Sequence, residues 1–247
     1  MTKKIIIFVL CANIFSACVT TKNPAAATFN VAQSDAKAIA IADATMLAMG
    51  GRKAWNETEL IAWNFFSARH LIWNKKTGDV RIDIKKDNTA ICMNVNTMQG
   101  NVKQNGVLIT GEARDKFLEK GKRIWINDSY WLVMPFKLKD DGVTLKYIRE
   151  DKTADNRACD VLQLSFEKVG VTPENKYLVF VDKVSHLVTQ WQFFKTATET
   201  APNFTNPWLN YQQHGKILLS GDRGKDGGLL TEIAVDAAVD ASLLKEF

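Results

Sequence analysis

Leu60-Ile61-Ala62-Trp63-Asn64-Phe65-Phe66-Ser67 places Trp63, Phe65 and Ser67 on one side of an extended chain and Ala62, Asn64 and Phe66 on the other. A period of two is the signature of a β-strand, whose side chains alternate between faces. The rhythm continues beyond it. His70 to Trp73 and Val80 to Ile84 flank Asn74-Lys75-Lys76-Thr77-Gly78-Asp79, a turn-rich connection that reads as a hairpin, and Ala90 to Asn96 follows Asp87-Asn88. Short extended pieces are expected at Gly100 to Gln104 and Val107 to Ile109, around Asn105-Gly106. Further strands are expected over Thr144 to Arg149, Cys159 to Phe166, Lys176 to Asp182 and Leu187 to Lys195, until Pro202 to Pro207 breaks the series. Tyr211 to Ser220 and Leu230 to Val235 then read as a last hairpin, and the whole has the spacing of an antiparallel meander.

Helical signals interrupt this pattern twice. Ser34-Asp35 offers an N-cap, and Ile39, Ala42, Met46 and Met49 recur at helical spacing until Gly50-Gly51. Thr110-Gly111-Glu112 opens a second helix, whose stripe of Ala113, Phe117 and Leu118 is expected to stop at Gly121. Tyr130-Trp131-Leu132-Val133-Met134-Pro135-Phe136-Lys137-Leu138 is the densest apolar run of the mature chain and reads as a buried strand. Pro135 cannot donate to a ladder, which places that strand at an edge or on a bulge. The fold expected is α+β: a large curved antiparallel sheet forming an open half-barrel, with a helix packed in its concave face.

The N-terminus carries an export signal. Lys3 and Lys4 precede an apolar run from Ile5 to Leu10, too short to span a bilayer, and Ser16-Ala17-Cys18 resembles a bacterial lipobox with Phe15 where Leu is usual. The expectation is a lipoprotein signal peptide at 1–17, diacylglycerol on Cys18, a flexible tether at 18–33 and a single domain at 34–247. Two or more acyl chains hold a protein on a membrane where one does not, so the tether is part of the function. Val19-Thr20 lacks the aspartate associated with inner-membrane retention, which points to the outer membrane, periplasmic face.

Composition sets the class. Hydrophobic residues make up 46% and charged residues 24%, which suits a globular domain and excludes disorder. A net charge of +5 has solubility as its plain reading and attraction to anionic headgroups as the sharper one. Cys92 and Cys159 have two readings, a disulfide or two buried thiols, with the thiols favoured. His70, His186 and His214 lack ligand spacing, so no metal and no cofactor are expected. Gly221-Asp222-Arg223-Gly224-Lys225-Asp226-Gly227-Gly228 lacks the spacing of a phosphate loop and reads as a mobile hairpin loop. No nucleophile elbow is present and no catalytic residue is assigned.

Seven Trp and thirteen Phe are a heavy aromatic load, readable as a filled core or as the lining of an apolar pocket. If a pocket exists, Trp63, Phe65, Trp131, Met134, Phe180 and Trp191 are its candidate contacts.

Helix, Gly50-Gly51, Trp55, the segment from Asn127 to Leu138, Gly170-Val171-Thr172-Pro173, Tyr177 and Trp191-Gln192-Phe193-Phe194 together resemble the DUF6503 group of bacterial lipoproteins. That group is similar in architecture to the LolA/LolB-like outer-membrane lipoprotein carrier and receptor. The resemblance implies an unclosed barrel lined with apolar side chains and lidded by helices, and it implies no ligand residue by position. The function expected is therefore a non-enzymatic, membrane-anchored periplasmic lipoprotein holding a lipid, an acylated peptide or another hydrophobic ligand, in lipoprotein or lipid trafficking. An interaction module of the envelope with a filled core and a protein partner is the alternative, and an envelope hydrolase ranks below both. No nucleic-acid partner is expected.

Overall fold

Alternating apolar positions become a sheet face when neighbouring strands pair in register, and here one cross-strand row runs Trp63, Leu71, Ile82, Ile91 and Val102. All five side chains are fully buried. Burial at each aliphatic position of such a row stabilises by about 1.5–3 kcal/mol. A computed structural model describes residues 28–153, 155–167, 170 and 172–245. Cys18, the signal peptide at 1–17 and the first part of the expected tether lie outside them.

The row belongs to a seven-stranded sheet made of β1 (Leu60–Phe65), β2 (Arg69–Asn74), β3 (Asp79–Ile84), β4 (Thr89–Asn94), β5 (Gly100–Gln104), β6 (Val107–Ile109) and β14 (Leu230–Val235). The order is β14-β1-β2-β3-β4-β5-β6. A five-stranded sheet holds β7 (Val143–Lys152), β8 (Ala158–Phe166), β9 (Lys176–Asp182), β10 (Val188–Phe194) and β11 (Phe204–Pro207), in the order β11-β10-β9-β8-β7. β12 (Gln212–His214) and β13 (Ile217–Leu219) form a hairpin of their own. The pairs are antiparallel and neither ladder closes on itself, which gives the open half-barrel of α+β class.

Two expectations about the last strands are corrected. The segment after Pro202 is a strand, β11, and Pro207 is accepted because β11 is an edge. Leu230 to Val235 does not pair with the preceding hairpin but returns to β1, with Ile61 opposite Val235 and Phe65 opposite Leu230.

Three helices cover the sheets: α1 (Ala36–Ala48), α2 (Gly51–Glu57) and α3 (Gly111–Val133). Asp35 stands at the N-cap of α1 without capping it; its carboxylate instead accepts from the Tyr147 backbone N–H at 2.9 Å and from Lys146 at 3.0 Å. Those contacts hold its pKa below the usual carboxylate range. Residues 28–33, expected as the end of a loose tether, are held against β7: Asn30 N donates to Val143 O at 3.0 Å and Phe29 packs on the core.

The largest correction concerns α3. Gly121 does not stop it, and Tyr130 to Val133 are its last turn rather than a strand; Met134–Lys137 follow as a 3-10 turn that accepts Pro135 near its start. Leu118, Gly121, Asp128, Ser129, Leu132 and Val133 are buried at helical spacing. At Gly121 α3 comes close to β4, since a Cβ there would lie 3.0 Å from Met93 Sδ and 3.2 Å from Ile91 Cγ2. Arg69 at the start of β2 fastens the C-terminal part of the helix, its Nε donating to Asp128 Oδ2 at 2.6 Å and Nη2 to Oδ1 at 3.0 Å. Cys92 and Cys159 are buried thiols not joined in a disulfide, each pushed up to about 11 by desolvation. Among the described residues no helix is long and apolar enough to cross a membrane.

Candidate functional site

Register in the five-stranded sheet builds two inward rows, Tyr147-Leu162-Val179-Trp191-Asn206 and Leu145-Leu164-Tyr177-Phe193-Phe204. The second row ends in three aromatic rings on adjacent strands, all partly exposed. The last turn of α3 delivers Tyr130 and Trp131 against them. Trp131 meets rings from both sheets, with centroids 5.0 Å from Trp191, 5.3 Å from Phe66, 5.5 Å from Phe204 and 6.2 Å from Phe65. Trp191 in turn lies 5.3 Å from Tyr177 and 5.6 Å from Trp208. The junction between the sheets is thus filled by its own aromatic rings at ordinary stacking and edge distances.

This packing leaves polar atoms without acceptors. The indole N–H groups of Trp63, Trp191 and Trp208 and the hydroxyl of Tyr130 are buried and have no hydrogen-bond partner among the described residues. Each such group costs about 1–3 kcal/mol relative to a paired one. Burial pushes the Tyr130 hydroxyl well above its ordinary pKa, so it remains a neutral donor.

Arg223 closes the cluster on one side and is fully buried. Its guanidinium carbon sits 3.4 Å from the Trp208 ring centroid; Nη2 donates to the carbonyls of Trp131 and Ser220, and Nη1 to Ser220 Oγ and Asp222 O. No carboxylate pairs with it among the described residues, and desolvation brings its pKa down to about 9.

Next to Arg223 lies the open seam of the half-barrel, where β14 runs back along β1 and Asp222 bridges to Leu209 and Leu229. A cleft of about 710 Å³ is lined there by Phe66, Leu209, Asp222, Lys225, Leu229 and Thr231, among others. A second cleft of about 330 Å³ shares Asp222, Leu229 and Thr231 with it and adds Asn210, His214 and Glu232. Burial lowers the pKa of His214, which favours its neutral form. Both clefts mix apolar and polar side chains. Four non-glycine residues lining them hold left-handed backbone: Phe66 at φ 48, Ser67 at φ 56, Asn210 at φ 53 and Glu232 at φ 51. Such conformations cost about 1–3 kcal/mol each and gather at ligand sites. Gly228, at φ +81, lets the loop close on the mouth, because a Cβ there would strike the Phe66 ring at 2.9 Å.

The six candidate contacts fall in three places. Trp63 and Phe65 lie in the core of the seven-stranded sheet, Met134 and Trp191 in that of the five-stranded sheet, and Trp131 packs against both. Phe180 does not join them. Tyr177, Val179 and Val181 take the inner face of β9, which turns Phe180 to the opposite face with Cys159 and Val161. None of the six lines either cleft. Sequence reading missed Phe66, Leu209, Leu229 and Arg223; the one available signal was the glycine-rich stretch from Gly221 to Gly228. That stretch holds a short helical turn, Gly224–Gly227, beside the cleft. Among the described residues no group of three or more His, Cys, Asp or Glu is placed to hold a metal ion.

No family model matches the chain, so none supports membership of the DUF6503 group, and no curated protein matches. Among solved structures the chain is similar to a DUF1329 family protein from Desulfovibrio piger, at 11% identity and a TM-score of 0.44 over 84% of this chain and 96% of that one. It is also similar to a putative outer membrane lipoprotein-sorting protein domain from Vibrio parahaemolyticus, at 10% identity and a TM-score of 0.42 over 85% of this chain and 99% of that one. A LolA superfamily protein from Nitrosomonas europaea matches at 11% identity and a TM-score of 0.42, over 85% of this chain and 97% of that one.

Proposed function

We propose that this protein is a membrane-tethered, non-enzymatic module of the cell envelope that holds an amphiphile with an acyl chain at the seam of its half-barrel. The observation that carries this reading is the cleft of about 710 Å³ opening beside Phe66, whose ring is in edge contact with Trp131. Its volume lies within the range of ligand pockets. The chain would lie along Phe66, Leu209 and Leu229 and gain about 0.8 kcal/mol for each CH₂ buried. The lipid expected on Cys18 would keep the module at the membrane, and a Cys18→Ser chain is expected to leave the membrane fraction.

A second reading, an interaction module without ligand, is favoured by the filled junction around Trp131 and Trp191. One experiment separates the two: native purification followed by mass spectrometry for bound lipid. A near-stoichiometric lipid that is lost in Leu229→Asp, a change at an exposed position, supports the holder. A parent protein that emerges empty overturns it in favour of the interaction module.

A further inference from the structure

We propose that one rim of the seven-stranded sheet docks onto an anionic lipid bilayer and turns the mouth of the seam cleft towards it. Three turns make this rim contiguous. Lys85 N donates to Ala68 O at 3.2 Å, joining the β3–β4 turn to the β1–β2 turn, and Asn105 N donates to Asn88 O at 2.9 Å, joining the β5–β6 turn to both. Phe66 and Ser67, which line the cleft, belong to the first of these turns.

The rim has the two features of an interfacial surface. Lys85 and Lys86 are exposed, and their ammonium groups have no ion pair among the described residues, while the acid of the same turn, Asp87, already faces Lys120 at 3.9 Å. Lys225 is also exposed and lines the cleft together with Ser67. Beside these cations, Val107 and Leu108 on the edge strand β6 are 65% and 52% exposed, and Leu229 at the cleft is 53% exposed. Aliphatic side chains on an uncovered sheet edge invite aggregation unless something buries them. Paired with unneutralised lysines, they suit the headgroup region of a negatively charged leaflet, where each cation is attracted and each aliphatic group leaves water. A protein partner would also cover the aliphatic residues, but the unpaired lysines favour a surface of diffuse negative charge.

The test uses the mature chain from position 18 onward carrying Cys18→Ser, so that neither signal peptide nor lipid contributes. Its partitioning is measured by sedimentation with vesicles of equal parts phosphatidylglycerol and phosphatidylcholine, and with pure phosphatidylcholine. Binding at least roughly 10-fold stronger to the anionic vesicles is expected, weakened by added salt. Lys85→Gln with Lys86→Gln is expected to weaken it by roughly 10-fold or more, and Val107→Ser with Leu108→Ser to weaken it on both vesicle types. All four positions are exposed, and unchanged circular dichroism would certify the fold. Equal partitioning to both vesicles, no sedimentation, or lysine variants that bind like the parent overturns the proposal. The lysine variants should still retain any lipid held at the seam, so failure of docking and failure of ligand holding are read separately.

Discussion

Arg223 places its guanidinium carbon over the Trp208 ring and donates through Nη2 to the carbonyl of Trp131, joining the loop beside the cleft to the end of α3. The last four carbonyls of a helix have no partner within it, and the helix dipole is negative there, so a buried cation at this point satisfies both. This explains how a guanidinium without a carboxylate is kept in the core. Replacement by Met leaves the carbonyls of Trp131 and Ser220 unpaired and is expected to cost about 2–3 kcal/mol in urea unfolding. Arg223→Lys should recover little, because an ammonium cannot present the same fork of donors. A loss below about 0.5 kcal/mol in Arg223→Met would show that the carbonyls find other partners.

Gly121 tests the continuity of α3. Ala at this position gains helix propensity of about 1 kcal/mol but presses on Met93 Sδ, a flexible neighbour, so Gly121→Ala should be close to neutral. The larger, branched Gly121→Val should destabilise by about 2 kcal/mol, because Ile91 stands behind. Equal stability of the two variants in thermal melts would mean that the helix does not approach β4 here.

The pair Arg69–Asp128 places an almost fully buried carboxylate against a guanidinium with some exposure. Desolvation is the largest influence on Asp128 and raises its pKa, against the lowering by Arg69 and Asn127. Asp128→Ala strands the Arg69 charge and is expected to cost about 3 kcal/mol, whereas Arg69→Met combined with Asp128→Leu should regain much of that loss. Chemical denaturation of the single and double variants checks the difference.

Lys75 gives a pH dependence of defined sign. Its ammonium lies 3.8 Å from the Trp55 ring centroid and donates to the carbonyls of Trp55 and Thr58, and burial lowers its pKa to about 8. Between about 8 and the ordinary value of 10.5 the unfolded chain binds this proton and the folded chain does not, so this group makes stability rise with pH across that window. Relative to Lys75→Met, the parent should gain stability from pH 8 to pH 10; a flat difference between the two would refute the assignment.

Strand alternation was legible wherever one face is buried and the other is not, as at Val80, Ile82 and Ile84 of β3. The segment from Tyr130 to Leu138 was misread because it is wedged between two sheets, with Trp131 touching both cores. A run that is apolar on every side carries no period by which helix and strand can be told apart. The face that Phe180 takes was not legible for a related reason. β9 is apolar on both faces, and only its pairing with β8 and β10 determines which face is inner.

The sequence by itself determined the antiparallel strands of an α+β domain, the helix over α1 and the aromatic load of the core, because these follow from local periodicity and composition. Tertiary structure alone decided the seam. Phe66, Leu209, Asp222 and Leu229 meet because β14 pairs with β1 across more than half of the chain, and Arg223 reaches the end of α3 from ninety-two residues away. Such meetings are set by long-range register and helix docking, for which no local pattern of residues carries a signal.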